Sequence, residues 1–205
     1  MIGWDNFNRI AYRMIELAYI NILWIVFTLI GLVAFGIFPA TSSMFVVVRK
    51  LIKEEESFKI FPAFWNAFRA DFLKVNGYGL LFLTVSYFFF FDFYFLQQNS
   101  GKLQFLYPIL IFLLISGTVT FLFFFPVYAH FNLKFFQYIK QSFLIAITSP
   151  IEVILIGATA VGIYFITTFI PGIIPLFPGS VFAYVATLIS FRAFARIETR
   201  KNVQI

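Results

Sequence analysis

The sequence contains no cysteine and only one histidine, His130. Without cysteine, the chain has no disulfide bond, no thiol nucleophile and no cysteine-based metal site. His130 has no serine or paired carboxylate at a spacing typical of a catalytic group. The sequence therefore predicts a protein that is not an enzyme and that binds no metal or cofactor.

Charge is also scarce. Only 12% of the residues are charged, against about a quarter in an ordinary soluble chain. Hydrophobic residues make up 61%, the mean hydropathy is +0.93, and 33 residues are Phe. The net charge of +6 could suggest nucleic acid, but the basic residues flank apolar runs and form no patch. The composition predicts an integral membrane protein whose solvent is the lipid bilayer, and no nucleic-acid partner.

Four apolar runs have about the 20 residues that a helix needs to cross the hydrocarbon core. A fifth is shorter but ends in Arg192, whose long side chain can reach the interface. The first run is too long for a cleaved signal peptide, so we expect it to be retained. The five predicted spans are residues 17–35, 78–96, 103–125, 151–170 and 176–191.

The apolar character of the first run continues through residues 36–48. Pro39 disfavours helix in the preceding residue and suits the first turn of a helix, which predicts a turn at residues 36–38 and a short second span from Pro39. Residues 39–48 would cover only about 15 Å at 1.5 Å per residue. The segment therefore either crosses with its polar start sheltered by other helices, or re-enters as a hairpin.

The basic residues predict which side each loop faces, because Lys and Arg collect in cytoplasmic loops. Six spans with a cytoplasmic N-terminus place 14 of the 15 basic residues inside and leave only Lys102 outside. A five-span arrangement places Arg9 and Arg13 outside as well. The count favours six spans with both termini in the cytoplasm.

Two segments between the spans are amphipathic. Both predict interfacial helices on the cytoplasmic face, which are natural docking elements. The first, residues 58–74, has Phe61, Phe64, Trp65, Phe68 and Phe72 at helical spacing. The second has Phe135, Phe136, Ile139 and Phe143 opposite Lys134, Gln137, Lys140 and Gln141.

The two amphipathic segments resemble each other when residues 64–73 are aligned with residues 135–144. This similarity suggests an internal repeat of residues 39–96 and 103–170 within a single membrane domain of residues 1–205. Transporter folds often contain such repeats. In so Phe-rich a chain some matches arise by chance, so duplication and coincidence both stay open.

Few polar residues lie where they could serve a function. Asp92 is the acid most plainly inside a span, where a carboxylate usually faces a partner or a cavity. Burying a carboxylate costs about 2.5–3.5 kcal/mol at the centre of the membrane, and this free energy falls towards the membrane surface. Glu152 follows Ser149 and Pro150 at the spacing of a capping box, which predicts a helix start. A lone histidine at a membrane boundary, such as His130, is most often an interfacial residue.

Residues 36–51, with the sequence GIFPATSSMFVVVRKL, are followed by the acids at 54–56 and by the aromatic series that begins at Phe61. This stretch resembles the YesL family of bacterial integral membrane proteins, and the resemblance extends over most of the chain. Arg49 belongs to it and is a candidate functional residue. The chain departs from the family pattern at His130, between Ala129 and Phe131, where Arg is expected.

Members of that family tend to be encoded beside carbohydrate importers and polysaccharide-degrading enzymes of Gram-positive bacteria. The resemblance implies a plasma-membrane protein of a bacterium with a link to sugar uptake. We expect an accessory or assembly subunit of a carbohydrate ABC importer. The alternatives are a small substrate-binding or transporting protein that uses the interior of its spans, and a structural protein without a ligand. The oligomeric state stays open. The candidate functional residues are Asp92, Arg49, Phe64, Trp65, Phe68 and His130.

Overall fold

The computed structural model describes residues 2–54, 58–98 and 103–203, with side chains described between residues 7 and 197 of these ranges. Within them all regular structure is helical, which confirms the all-α class. Two segments, Gln104–Leu106 and Pro171–Ile173, form short 3₁₀ helices. The eight α-helices are α1 (Ile2–Ile30), α2 (Ile37–Ile52), α3 (Ile60–Ala70), α4 (Phe72–Gln98), α5 (Tyr107–His130), α6 (Phe135–Thr148), α7 (Pro150–Phe169) and α8 (Pro178–Val203).

Five helical segments are long and apolar enough to cross a membrane, and they match the five predicted runs. The chain is therefore a polytopic helical membrane protein. The segments are Phe7–Ile30, Phe72–Gln98, Gln104–His130, Pro150–Phe169 and Pro178–Ile197.

The short second helix, α2, lies at the centre of the bundle. It contacts α1, α3, α4, α5 and α8, and nine of its 16 residues are buried. Its polar start is sheltered by these helices, as a short intramembrane helix requires. Ser43 is 1% exposed, and its hydroxyl donates to the carbonyl oxygen of Pro39 at 2.7 Å.

The turn before α2 differs in position from the prediction. α1 ends at Ile30, the turn covers residues 31–36, and Pro39 lies in the first turn of α2. Two glycines explain the position, because a Cβ on Gly31 would lie 2.3 Å from the Gly36 Cα, and a Cβ on Gly36 would lie 2.3 Å from the carbonyl oxygen of Thr28. Only glycine allows this approach of the two backbones.

The same turn lies against the beginning of α4. Asn76 Nδ2 donates to the carbonyl oxygen of Phe35 at 3.0 Å. A Cβ on Gly79 would lie 2.5 Å from Cδ2 of Phe38. Past Asn76, α4 continues for 22 residues, about 33 Å, which is close to the thickness of the hydrocarbon core. The part of α4 beyond Asn76 is therefore long enough to cross it.

The two predicted amphipathic segments form α3 and α6. The aromatic face of α3 packs against α1 and α2, with Phe64 and Phe68 buried. Phe72 belongs to α4, because a break at Asp71 separates the two helices. The predicted face of α6 is confirmed in part: Phe135 and Ile139 pack against the core, but the fully buried residues are Tyr138, Ser142, Ile145 and Ala146.

Phe136 of α6 is 73% exposed. The packed face extends to Tyr138, because that residue is fixed to the chain before the helix. Its hydroxyl donates to the carbonyl oxygen of Phe131 at 3.0 Å and accepts from the N–H of Leu133 at 3.1 Å. The side of α6 that carries Tyr138 therefore packs against α5.

The order of elements is the one that an internal repeat would require. α2, α3 and α4 have 16, 11 and 27 residues, and α5, α6 and α7 have 24, 14 and 20. In each half a short helix joins two longer ones, although α2 is much shorter than α5. Duplication stays a prediction.

Candidate functional site

Three of the candidate residues form part of one aromatic cluster. The ring centroid of Phe27, in α1, lies 5.1 Å from that of Phe64, 5.7 Å from that of Trp65 and 5.0 Å from that of Phe68. Phe64 is fully buried, whereas Trp65 is 37% exposed. The cluster fixes α3 to the bundle and leaves only its outer edge for a partner.

His130 ends α5 and is surrounded by phenyl rings. Its ring centroid lies 4.7 Å from Phe131, 5.4 Å from Phe191 and 4.7 Å from Phe194. The imidazole therefore packs α5 against the second half of α8. Arg49, also partly buried, lies in the last turn of α2.

Asp92 lies apart from the other candidates, on an exposed face in the second half of α4. It forms no hydrogen bond or ion pair with another residue in the part of the chain that the structure describes. The six candidates therefore do not converge on one site.

Basic residues tie several helix ends together at one end of the bundle. Arg13 of α1 donates through Nη1 to the carbonyl oxygen of Leu51 at 3.0 Å, and through Nη2 to Glu54 at 3.1 Å. Lys53 Nζ lies 5.8 Å from the ring centroid of Phe191 in α8. The start of α1, the end of α2 and the second half of α8 thus share one side, as the charge distribution predicts.

Glu152 is a functional candidate whose role the sequence did not reveal. Ser149 precedes α7 and Pro150 is its first residue, as predicted, but Glu152 does not complete a capping box. Its side chain is 2% exposed and pairs with Arg196 of α8, which is 55% exposed. The capping-box interpretation was wrong, because the carboxylate crosses to the neighbouring helix instead of returning to its own helix start.

Asn21 was also missed, since nothing in the sequence connects it with a partner far along the chain. It is fully buried in α1. Its Nδ2 donates to the carbonyl oxygen of Pro175 at 2.9 Å, and its Oδ1 accepts from the N–H of Ser180 at 3.0 Å. A single amide therefore holds both the turn before α8 and the first turn of that helix.

A third missed group is a tyrosine cluster where α4 begins and α5 ends. Tyr78 stacks on Phe135 with centroids 4.1 Å apart, and its hydroxyl donates to the carbonyl oxygen of that residue at 2.8 Å. Lys74 Nζ lies 5.2 Å from the ring centroid of Tyr128 and 4.9 Å from that of Tyr138. These distances are typical of cation–π contacts, which hold one basic residue against the bundle.

An aromatic cavity of about 280 Å³ lies between α1, α2, α5 and α8. At its wall Trp24 Nε1 donates to Thr41 Oγ1 at 3.0 Å, and Thr41 Oγ1 donates to the carbonyl oxygen of Ile37 at 2.6 Å. The walls are otherwise apolar, and the rings that line it are Trp24, Phe38, Phe45, Phe121, Phe125 and Phe182. Such a cavity suits an apolar or aromatic molecule and offers no charged group.

The far halves of α4 and α5 form a two-helix projection, which we call the distal hairpin (residues 83–98 and 103–116). α4 has its main contacts with α2 and α5, and nearly all its side chains beyond Phe82 are exposed. A cavity of about 350 Å³ separates the two helices near Phe89, Phe93 and Leu114. The distal hairpin is thus loosely packed and rich in exposed aromatic rings.

These features define a polytopic helical membrane protein. The start of its α1, the end of its α2 and the second half of its α8 lie at one end of the bundle. Comparison with known proteins is more specific. Residues 17–93 match the model of the family described as "Protein of unknown function, DUF624". The chain is 32% identical over 202 residues to the "Uncharacterized protein YesL" of Bacillus subtilis, covering 97% of this chain and 94% of that protein. The chain therefore belongs to the YesL family, as its sequence predicted.

Two further relatives come from the same organism. The "Uncharacterized protein YteU" is 29% identical over 93% of this chain and 86% of its own length. The "Uncharacterized protein YesV" is 30% identical over 92% of this chain and 91% of its own length. No solved structure matches the chain.

Proposed function

We propose that this protein is an accessory subunit of the bacterial plasma membrane, with both termini in the cytoplasm, that binds another integral membrane protein through the distal hairpin. The exposed rings of the distal hairpin carry this proposal. They include Tyr87 at 66%, Phe88 at 60% and Phe90 at 72% exposure. Aromatic rings are enriched at the energetic centres of protein interfaces, because they bury a large area at little conformational cost.

The loose packing of the distal hairpin also supports a partner. α4 and α5 leave a cavity between them and have few other contacts, so the pair gains little from its own packing. In lipid, helices associate through close packing and polar contacts, because apolar surface alone provides no driving force. A third helix that fills the surface of the distal hairpin would supply the missing packing.

We propose that the partner is a membrane subunit of a carbohydrate ABC importer. This choice rests on the resemblance of residues 36–74 to the YesL family, whose members tend to be encoded beside carbohydrate importers. The exposed edge of α3, with Phe61 at 49% and Trp65 at 37% exposure, would serve as a second contact at the cytoplasmic face.

Co-purification from native membranes tests this proposal. The tagged chain should recover an importer subunit in mild detergent. Replacement of Phe88 and Phe91 by Leu should lower that recovery by about tenfold, the effect of losing 1.4 kcal/mol of binding free energy. The matched control replaces Tyr164 and Phe165, which are 67% and 55% exposed on α7. Equal recovery with both variants, or no importer subunit with the unmodified chain, would contradict the proposal.

The aromatic cavity supports a second candidate function, in which the protein binds or transports a small molecule. Binding would occur between α1, α2, α5 and α8, with the Trp24–Thr41 hydrogen bond as the polar contact at the wall. Saturable binding of a labelled aromatic probe by the purified protein in nanodiscs would support it. Binding that is unchanged by Phe45→Trp, which reduces the free volume, would contradict it.

We propose a binding and not a catalytic role for either function. Its support is that the only histidine packs against three phenyl rings, while the buried carboxylate of Glu152 pairs with Arg196. Neither group adjoins the aromatic cavity.

A further inference from the structure

We infer that Asp92 selects a transmembrane partner helix that carries a Lys or Arg at the same depth in the membrane. The inference deepens the proposed function, on which it rests, by naming the chemistry of the partner. It starts from an exposed carboxylate in a helix that is otherwise apolar from Leu80 to Leu96, apart from two hydroxyl side chains and the phenols of its tyrosines. An acid in such a position pairs with a cation or lines a polar cavity.

The depth of Asp92 follows from the length of α4. The helix ends at Gln98, six residues or about 9 Å further on. Asp92 therefore lies in the half of the membrane remote from the basic end of the bundle. The nearest basic residue in the sequence, Lys102, lies outside the described residues.

Asp92 does not face α5. The neighbouring Phe93 lines the cavity between α4 and α5, and one residue of α-helix turns Asp92 about 100° away from it. The carboxylate therefore points to the flank of the distal hairpin, where another helix can approach.

The flank has the residue spacing of a helix-packing seam. Val85, Phe88, Asp92 and Phe95 follow one another at intervals of three, four and three residues, and all four are exposed. This is the spacing at which two helices interlock side chains over several turns. A single polar residue in such a seam fixes the register and the choice of partner.

Charge decides which partner fits. A second copy of this chain on the same seam would bring two Asp92 carboxylates together, and like charges in a low-dielectric environment repel strongly. A helix with Lys or Arg opposite Asp92 would instead form an ion pair that lipid does not screen. The partner is therefore a different protein with a basic residue in the corresponding half of one span.

Synthetic helices in nanodiscs test this inference without knowledge of the natural partner. The full chain carries a donor dye on Gln98→Cys, which the absence of native cysteine makes specific. The probe is an acceptor-labelled Leu–Ala transmembrane peptide with Lys at the depth of Asp92; matched peptides carry Leu or Glu there. We expect the Lys peptide to bind at least about tenfold more tightly than the Leu peptide, and the Glu peptide to bind no better than Leu.

With Asp92→Asn the Lys and Leu peptides should bind with about equal affinity. Asp92→Glu should keep most of the difference in affinity between them. Circular dichroism and elution of each variant must match the unmodified chain. Equal binding of the Lys and Leu peptides, or a preference that persists in Asp92→Asn, would overturn the inference. If the Lys peptide binds more tightly than the Leu peptide only in the Lys102→Gln variant, Asp92 pairs with Lys102 of its own chain and the inference is wrong. If Asp92→Asn increases self-association of the protein, the exposed face around Asp92 binds a second copy of this chain and the inference is also wrong.

Failure of this inference and failure of the proposed function give different results. If the chain recovers an importer subunit but binds all peptides equally, the accessory role stands and Asp92 does not select the partner. If the Lys peptide is preferred but no membrane protein is recovered from native membranes, Asp92 is selective and the proposed function is wrong.

Discussion

Glu152 at the start of α7 pairs with Arg196 near the end of α8, so one ion pair closes this hairpin at its open end. The two partners differ in their surroundings. The carboxylate is 2% exposed and its Oε2 has no hydrogen-bond partner among the described residues, whereas the guanidinium is 55% exposed. The pair is therefore asymmetric, and its two halves should respond differently to mutation.

Arg196→Ala should destabilise the protein more than Glu152→Gln. The first change leaves a buried carboxylate without a counterion, which typically costs about 3–5 kcal/mol. The second leaves an arginine that water can solvate. The measurement is the free energy of unfolding in mixed micelles, and Arg192→Ala, at an exposed neighbouring position, is the control. A larger loss with Glu152→Gln would show that the contact does not bury the carboxylate as described.

Gly36→Ala should destabilise the α1–α2 turn, because the new Cβ would lie 2.3 Å from the backbone oxygen of Thr28. A backbone atom cannot move aside as a flexible side chain can. Gly157→Ala is the matched control, since no atom lies within 4 Å of its added Cβ. The control should stabilise α7 by up to about 1 kcal/mol, the difference in helix propensity. Thermal unfolding should therefore shift in opposite directions for the two variants.

Phe64→Ala should lower the free energy of unfolding by about 3–5 kcal/mol, the usual cost of removing a packed ring from a protein core. Phe64 is fully buried against Phe27, whereas Phe61 on the same helix is 49% exposed. Phe61→Ala should accordingly cost much less. Similar losses for both would mean that the rings rest on lipid to the same extent.

Topology can be tested by labelling single cysteines with a membrane-impermeant maleimide in intact cells. Gly172→Cys, in the loop before α8, should label from outside. Leu32→Cys, in the α1–α2 turn and 79% exposed, should also label from outside, because α1 is long enough to cross the membrane from a cytoplasmic N-terminus. Protection of Leu32→Cys in intact cells would instead favour re-entry of the segment as a hairpin.

The same experiment tests the sidedness of the loops and termini. Ser100→Cys should label from outside, and Asn6→Cys, Ser57→Cys and Asn202→Cys should label only after lysis. Ser57 and Ser100 lie outside the described residues, as do the side chains of Asn6 and Asn202. Labelling of Asn202→Cys in intact cells would contradict both the six-span and the re-entrant arrangements.

Periodicity and hydropathy predicted most of the helices, because both report on one segment at a time. The five long spans and the aromatic face of α3 follow from such local patterns. The turn at residues 31–36 was misplaced because its position depends on the contact of Gly31 with Gly36, which Pro39 does not reveal. The face of α6 was predicted only in part, because Tyr138 binds a carbonyl group of the preceding loop and is buried with it.

The candidate site was less predictable for the same reason. Asp92 was noticed because an acid interrupts an apolar run, and the structure adds that it lies on an exposed face of α4. Glu152 was assigned to its own helix, since a capping box is a local pattern, whereas Arg196 lies 44 residues away. Asn21 gave no signal in the sequence.

The hydrogen bonds of Asn21 also constrain how the chain is made. Its partner Ser180 lies 159 residues further along the chain. At about 5–20 residues per second, a ribosome needs roughly 10–30 s to produce that stretch. During this time α1 has already been synthesised, but the amide of Asn21 cannot yet bind Ser180. The first helix therefore completes its packing only after the last has been made, and a chain that stops before α8 leaves the buried amide of Asn21 without its partner Ser180.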